Sequence, residues 1–158
     1  MSVYINFFLR YEDNFIPLLD CGRSSYIYQF FAHKIPYEKI KPLTISDLRN
    51  SYYELRDMKD EFKESLNKYD KTIKEIPNFN NSVDDKLAAL NEIEETYDEI
   101  KETINEIEVC MIKIDFLISI IEAMKYYDER PDLKVDINKY LYAGIEICSP
   151  TVEDIEEK

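Results

Sequence analysis

The chain has 158 residues, 45% of them hydrophobic, with 20 basic against 33 acidic side chains and a net charge of −13. That is the length of one domain with a sizeable core, and the apolar and aromatic content argues against intrinsic disorder. The charge opposes nucleic-acid binding over most of the surface. The two glycines, Gly22 and Gly144, leave no P-loop or G-x-G-x-x-G to cradle a phosphate.

Residues 1–45 read as a small mixed module holding ten of the aromatics. Val3, Ile5, Phe7, Leu9 and Tyr11 alternate with Tyr4, Asn6, Phe8 and Arg10, the periodicity of a strand with one mainly apolar face. Glu12 to Asn14 is turn chemistry. Phe15 to Leu19 can return as a second strand, which Pro17 confines to an edge or a bulge. Gly22 marks a turn, Ser24 or Ser25 can cap a short helix to about Ala32, and Pro36 and Pro42 punctuate an extended link.

Thr44 to Asp47 has capping-box form. Leu48, Tyr52, Leu55, Met58, Phe62, Leu66, Tyr69, Ile73 and Ile76 then keep 3-4 spacing, predicting a helix over 46–76 that Pro77 ends. The turn-rich connector 77–81 predicts an antiparallel return, and Ser82 to Asp85 caps a second helix over 82–127. Its seam is Val83, Leu87, Leu90, Ile93, Tyr97, Ile100, Ile104, Ile107, Met111, Ile114, Ile118 and Ile121. At 1.5 Å per residue the helices should run roughly 46 and 69 Å, so a symmetric hairpin puts the start of the first opposite about residue 113. Beyond that point the second helix is apolar on nearly every side, including Val109, Ile112 and Phe116. Burial under the N-terminal module is the expectation.

Pro131 ends the second helix. Leu133, Val135 and Ile137 alternate, Tyr140 to Ile147 reads as a strand able to join the N-terminal sheet, and Glu153 to Lys158 reads as a loose acidic tail. The expected fold is therefore α+β. A coiled-coil-like antiparallel helical hairpin over 46–127 carries the aromatic-rich antiparallel sheet of 1–45 and the C-terminal strand of 128–158, in one cooperative domain.

The chain offers little to build a catalytic centre. His33 has no ligand-spaced partner, Ser24 and Ser25 lack a nucleophile elbow, and Cys21, Cys110 and Cys148 form no C-x-x-C or disulfide framework. Reduced thiols, the lack of a signal peptide and an apolar run too short to span a bilayer predict a cytoplasmic protein, and the missing catalytic constellations predict a non-catalytic one. No cofactor and no metal are expected.

Charge is placed unevenly. Between Asp84 and Glu108 ten carboxylates face only Lys86 and Lys101, a local net of −8, whereas 46–81 carries 7 basic and 8 acidic side chains. Glu92, Glu95, Glu99, Glu102 and Glu106 make a 3-4 stripe off the seam. Such neighbours lie about 5–6 Å apart, a separation suited to a groove made for backbone phosphates. A secondary surface gathers Arg10, Arg23, Tyr26, Lys39 and Lys41 among the front aromatics, a pattern that in other settings stacks on single strands.

With VYINFFLRY, RSSYIYQFF and KPLTISDL, the first 48 residues resemble the opening of small uncharacterised accessory proteins of phages and prophages in Gram-positive bacteria. The resemblance carries no catalytic motif. It implies a factor that binds and redirects a host or rival protein, such as a nuclease or defence effector, a repressor or a replication factor. The expected function is thus a phage-type inhibitor occluding a nucleic-acid-handling protein, with acidic DNA mimicry as one route. The partner would bear a basic groove, and no membrane is involved. Two alternatives stay open: a scaffold whose hairpin self-associates into a bundle, and a single-strand nucleic-acid binder.

Overall fold

The computed structural model describes residues 4–11, 13–22, 25–128 and 141–155. They form β1 (Tyr4–Tyr11), β2 (Asn14–Gly22), α1 (Tyr26–Phe31), β3 (Ile40–Leu43), α2 (Ile45–Glu75), α3 (Val83–Asp128) and β4 (Leu141–Ile145). The class is α+β: a small antiparallel sheet that includes the C-terminal strand, and two long helices packed together. The chain divides into two compact units, one of residues 1–52 with 110–158 and one of 53–109, and α2 and α3 contribute residues to both.

In the first unit the sheet order is β2-β1-β4-β3. The alternation of β1 puts Ile5, Phe7 and Leu9 on one face, opposite Ile145, Ala143 and Leu141 of β4. That face meets helices. Phe31 of α1 sets its ring edge-on to Phe7 at 5.7 Å, and Lys113 of α3 reaches Cys21 of β2. The other face carries Asn6 and Phe8, and it is buried as well. Phe8, Ile40 and Tyr142 form its core, covered by Phe15, Ile147 and Ile155.

That cover corrects the loose acidic tail. Thr151 and Asp154 make a reciprocal capping box around a 3-10 turn, and Ile155 bridges to Ile40. Asn6 Nδ2 donates to the Ile147 carbonyl at 2.8 Å, and the Glu146 N–H donates to the Tyr4 carbonyl at 3.0 Å. Glu146 takes a left-handed φ of 58°, and its carboxylate accepts from the Tyr37 hydroxyl. Residues 156–158 of the expected tail, the alternation at Leu133, Val135 and Ile137, and Val3, Glu12, Ser24, Pro131 and Tyr140 lie outside the described residues.

Proline placement follows from the missing amide proton. Pro17 sits in edge strand β2, beside a register shift that pairs Phe7 with Leu19 and Phe8 with Pro17. The link expected around Pro42 is in fact the other edge strand, β3, paired antiparallel to β4. Ser25 caps α1, accepting from the Tyr28 N–H at 3.4 Å. At the start of α2 the Thr44 hydroxyl accepts from Asp47 N–H at 3.1 Å, and the Asp47 carboxylate accepts from Thr44 N–H at 3.0 Å. Ser82 likewise accepts from the Asp85 N–H at 3.2 Å to open α3.

The helix register differs from a symmetric hairpin. Arg49 pairs with Glu122 at 2.7 Å in the first unit, and Lys59 with Glu108 at 3.9 Å in the second. Symmetric closure about the connector would instead place Arg49 near residue 110 and Lys59 near residue 100. The first turns of α2 therefore lie beside α3 well past residue 113. At the connector end Val83 and Leu87, read as seam residues, are 71% and 52% exposed.

The apolar stretch of α3 is buried on one side only. Cys110, Met111, Ile114, Leu117, Ile118 and Ile121 are in the core, whereas Val109, Ile112 and Phe116 are exposed. One helix in contact with a sheet and a neighbouring helix keeps a side to solvent, whatever its composition.

Candidate binding surface

In the second unit the segments of α2 and α3 run antiparallel, joined by the connector between them. Ile76 and Leu55 are buried, yet no α2 residue between them is. Met58, Phe62, Leu66, Tyr69 and Ile73 are only half-buried. Along α3 no residue from Val83 to Thr103 is buried, and Leu90, Ile93, Tyr97 and Ile100 are half-buried. Two helices can enclose a shared seam only where they touch, so its flanks stay open unless long side chains close them.

Glu92, Glu95, Glu99, Glu102 and Glu106 are all exposed on α3. Successive members sit one turn apart, and among the described residues none of the five takes part in an ion pair. Glu95 and Glu102 project farthest from the seam, while Glu92, Glu99 and Glu106 lie nearer its edge, as the 3.6-residue turn requires. Mutual repulsion along such a row is relieved only by solvent, salt or a cationic partner.

The basic set behaves differently, and all its described members belong to the first unit. Arg10 is spent internally: Nη1 donates to the Tyr142 hydroxyl at 3.2 Å, and the guanidinium sits 5.9 Å from the ring centres of Phe15 and Tyr142. Lys41 pairs with Ala143 and so faces the opposite side of the sheet from Tyr142 and Arg10. Its ammonium donates to the Lys34 carbonyl and that of Lys39 to the Glu153 carbonyl, both at 3.4 Å. Tyr26 opens α1 and is half-buried; Arg23 lies outside the described residues. The sheet thus sends Arg10 and Lys41 to opposite faces.

The cysteines occupy distinct environments. Cys148 is exposed, 2.5 Å from the Tyr4 hydroxyl, and that hydrogen bond is the main reason the phenol is pushed up to about 12. Cys110 is buried, and desolvation pushes its thiol up to about 12 despite nearby Lys113. Cys21 is also buried, with the Lys113 ammonium 3.6 Å from its sulfur. Among the described residues no three His, Cys, Asp or Glu are grouped to hold a metal ion, and no helix is long and apolar enough to cross a membrane. Sequence reasoning reached the acidic positions but missed the open flank of the seam beside them, which only the helix register reveals. Comparison with protein-family models, curated proteins and solved structures gives no match for this chain.

Proposed function

We propose that this chain is a non-catalytic binding protein that occludes a nucleic-acid-handling protein, with the carboxylates of α3 standing in for backbone phosphates. The observation that carries the reading is the row Glu92, Glu95, Glu99, Glu102 and Glu106, exposed and without an ion-pair partner among the described residues. A basic groove that neutralises backbone phosphates would meet in this row a comparable line of negative charge. The phage-like opening segments support an inhibitor acting in the bacterial cytoplasm on a nuclease or defence effector, a repressor or a replication factor. Direct single-strand binding by the front module is disfavoured by the dispersal of Arg10 and Lys41 to opposite faces.

Affinity capture from a Gram-positive lysate tests the reading. The expected prey is a nucleic-acid-handling protein that duplex DNA displaces and that a Glu95→Lys/Glu99→Lys/Glu102→Lys variant fails to retain. Prey that ignores both the DNA and the charge reversal would remove mimicry.

A further inference from the structure

The two sides of the second unit's seam are built differently. In heptad terms Lys59 stands one heptad before the seam residues Leu66 and Ile73, and its contact with Glu108, at position e of α3, lies on one side of the seam. Leu66 and Ile73 follow Lys59 on that flank, while Lys101 lies 5.2 Å over the ring of Tyr97. Antiparallel helices bring e to e and g to g, so the other side is shared by the two g flanks.

That other side is lined, apart from Met58, by small groups. α2 presents Met58, Ser65 and Thr72, α3 presents Ala89, Thr96 and Thr103, and all six are half-buried. The threonine hydroxyls turn inward: Thr72 donates to the Lys68 carbonyl at 3.0 Å, Thr96 to Glu92 at 3.3 Å and Thr103 to Glu99 at 3.0 Å. With each hydroxyl satisfied by its own helix, the methyl is the group left to face outward. Small side chains on both helices would let a third backbone approach this flank closely and form a groove there.

Its rims carry one sign of charge. Beyond the g residues of α2 stand Glu54, Glu61, Lys68 and Glu75, and beyond the small residues of α3 stand Glu92, Glu99 and Glu106. Six carboxylates against one lysine would oppose a second copy of this chain, whose own rims are acidic. The same rims would attract an amphipathic helix with lysine or arginine beside its apolar stripe.

We propose that the g-side groove of residues 53–109 seats one basic amphipathic α-helix of a partner protein as the third strand of a short coiled coil. This rests on the reading of the chain as a binding protein and names the element of the partner that it holds. The apolar stripe covers Met58, Phe62, Tyr69, Ile93 and Ile100, while the flanking cations reach Glu61 on one rim and Glu92, Glu99 and Glu106 on the other.

The test uses the full chain and fluorescent synthetic helices of about four heptads. One has Leu at a and d with Lys at e and g; a second has Glu at e and g; a third scrambles the Lys peptide. The Lys helix should bind at least about tenfold more tightly than the Glu helix, and weaken about tenfold as NaCl rises from about 0.05 to about 0.5 M. A Glu92→Gln/Glu99→Gln/Glu106→Gln variant, which leaves the seam untouched, should bind the Lys helix several-fold more weakly and narrow that preference while keeping its helicity by circular dichroism. Equal binding of the Lys and Glu helices, equal binding of the scrambled peptide, or no binding by folded protein would each overturn the proposal. Failure here alongside DNA-displaceable capture sinks the groove and leaves mimicry standing; the reverse pattern sinks mimicry alone.

Discussion

A β-carbon placed on Gly144 would lie 2.8 Å from Cγ2 of Ile40, its cross-strand partner between β4 and β3. Ile40 is fully buried, so its side chain fills the space a larger residue at 144 would need. Gly144→Ala should therefore destabilise by about 1–3 kcal/mol, the usual cost of overpacking. Ile40→Ala alone should cost about 2–5 kcal/mol through its cavity. The double substitution should cost less than the sum, because each relieves the other's fault. Chemical denaturation of the four proteins checks the cycle, and strict additivity would contradict it.

Neighbouring positions on α3 should respond oppositely to truncation. Leu117 is fully buried, whereas Phe116 is 47% and Ile112 68% exposed. Leu117→Ala should cost about 2–5 kcal/mol. Ile112→Ser and Phe116→Ser should each stay within about 0.5 kcal/mol, apart from the small helix-propensity loss. Comparable losses at Phe116 and Leu117, by denaturant midpoint, would mean that the exposed side of this stretch is covered.

The cap of α2 offers a local test. Thr44→Ala and Asp47→Ala each remove one half of a reciprocal pair. Either should cost about 0.5–2 kcal/mol. Together they should cost less than the sum, since each hydrogen-bonding group depends on the same first turn.

Cys110 couples the core to alkaline pH. Burial raises its thiol from 9.0 to about 12. Below the lower value the thiol is protonated in folded and unfolded chains alike and contributes no pH dependence. Above it the unfolded chain releases a proton that the folded chain keeps, so stability falls as pH rises toward about 12. The stability gap between the native protein and Cys110→Ala should narrow over that interval. In the folded protein at pH 8, iodoacetamide should label exposed Cys148 well before buried Cys110, read by peptide mass spectrometry.

What the sequence discloses and what it hides divide along physical lines. Local chemistry is legible: Thr44 with Asp47, Ser82 with Asp85 and Pro17 on an edge are determined within a few residues. The long 3-4 repeats are legible because burial of one helix face imposes them. β3 is hidden because four residues containing Pro42 have little strand signal, and only pairing with β4 makes them one. Ile155 is hidden because a single apolar side chain in an acidic run carries no period. The helix register is hidden because connector residues 76–82 do not specify where the two seams meet. For the binding surface, the five glutamates can be read from spacing. The open g-side groove cannot, because it depends on which flank Lys59 and Glu108 close.

Like charge on both rims has a consequence for assembly. Glu54, Glu61 and Glu75 face one edge of the groove and Glu92, Glu99 and Glu106 the other, with Lys68 the one base among them. Two copies meeting groove to groove would bring carboxylates together and also strip water from them. The native chain should therefore stay monomeric in light scattering at tens of micromolar protein, despite its half-buried seam. Glu92→Lys/Glu99→Lys/Glu106→Lys converts one rim to the opposite sign while leaving Met58, Phe62, Ile93 and Ile100 in place. The α2 rim of one copy then complements the α3 rim of another, and the apolar groove supplies the contact. That variant should form a dimer that dissociates as salt is raised. A native dimer, or a triple variant that stays monomeric at low salt with its helicity intact, would show that rim charge does not govern what the groove accepts.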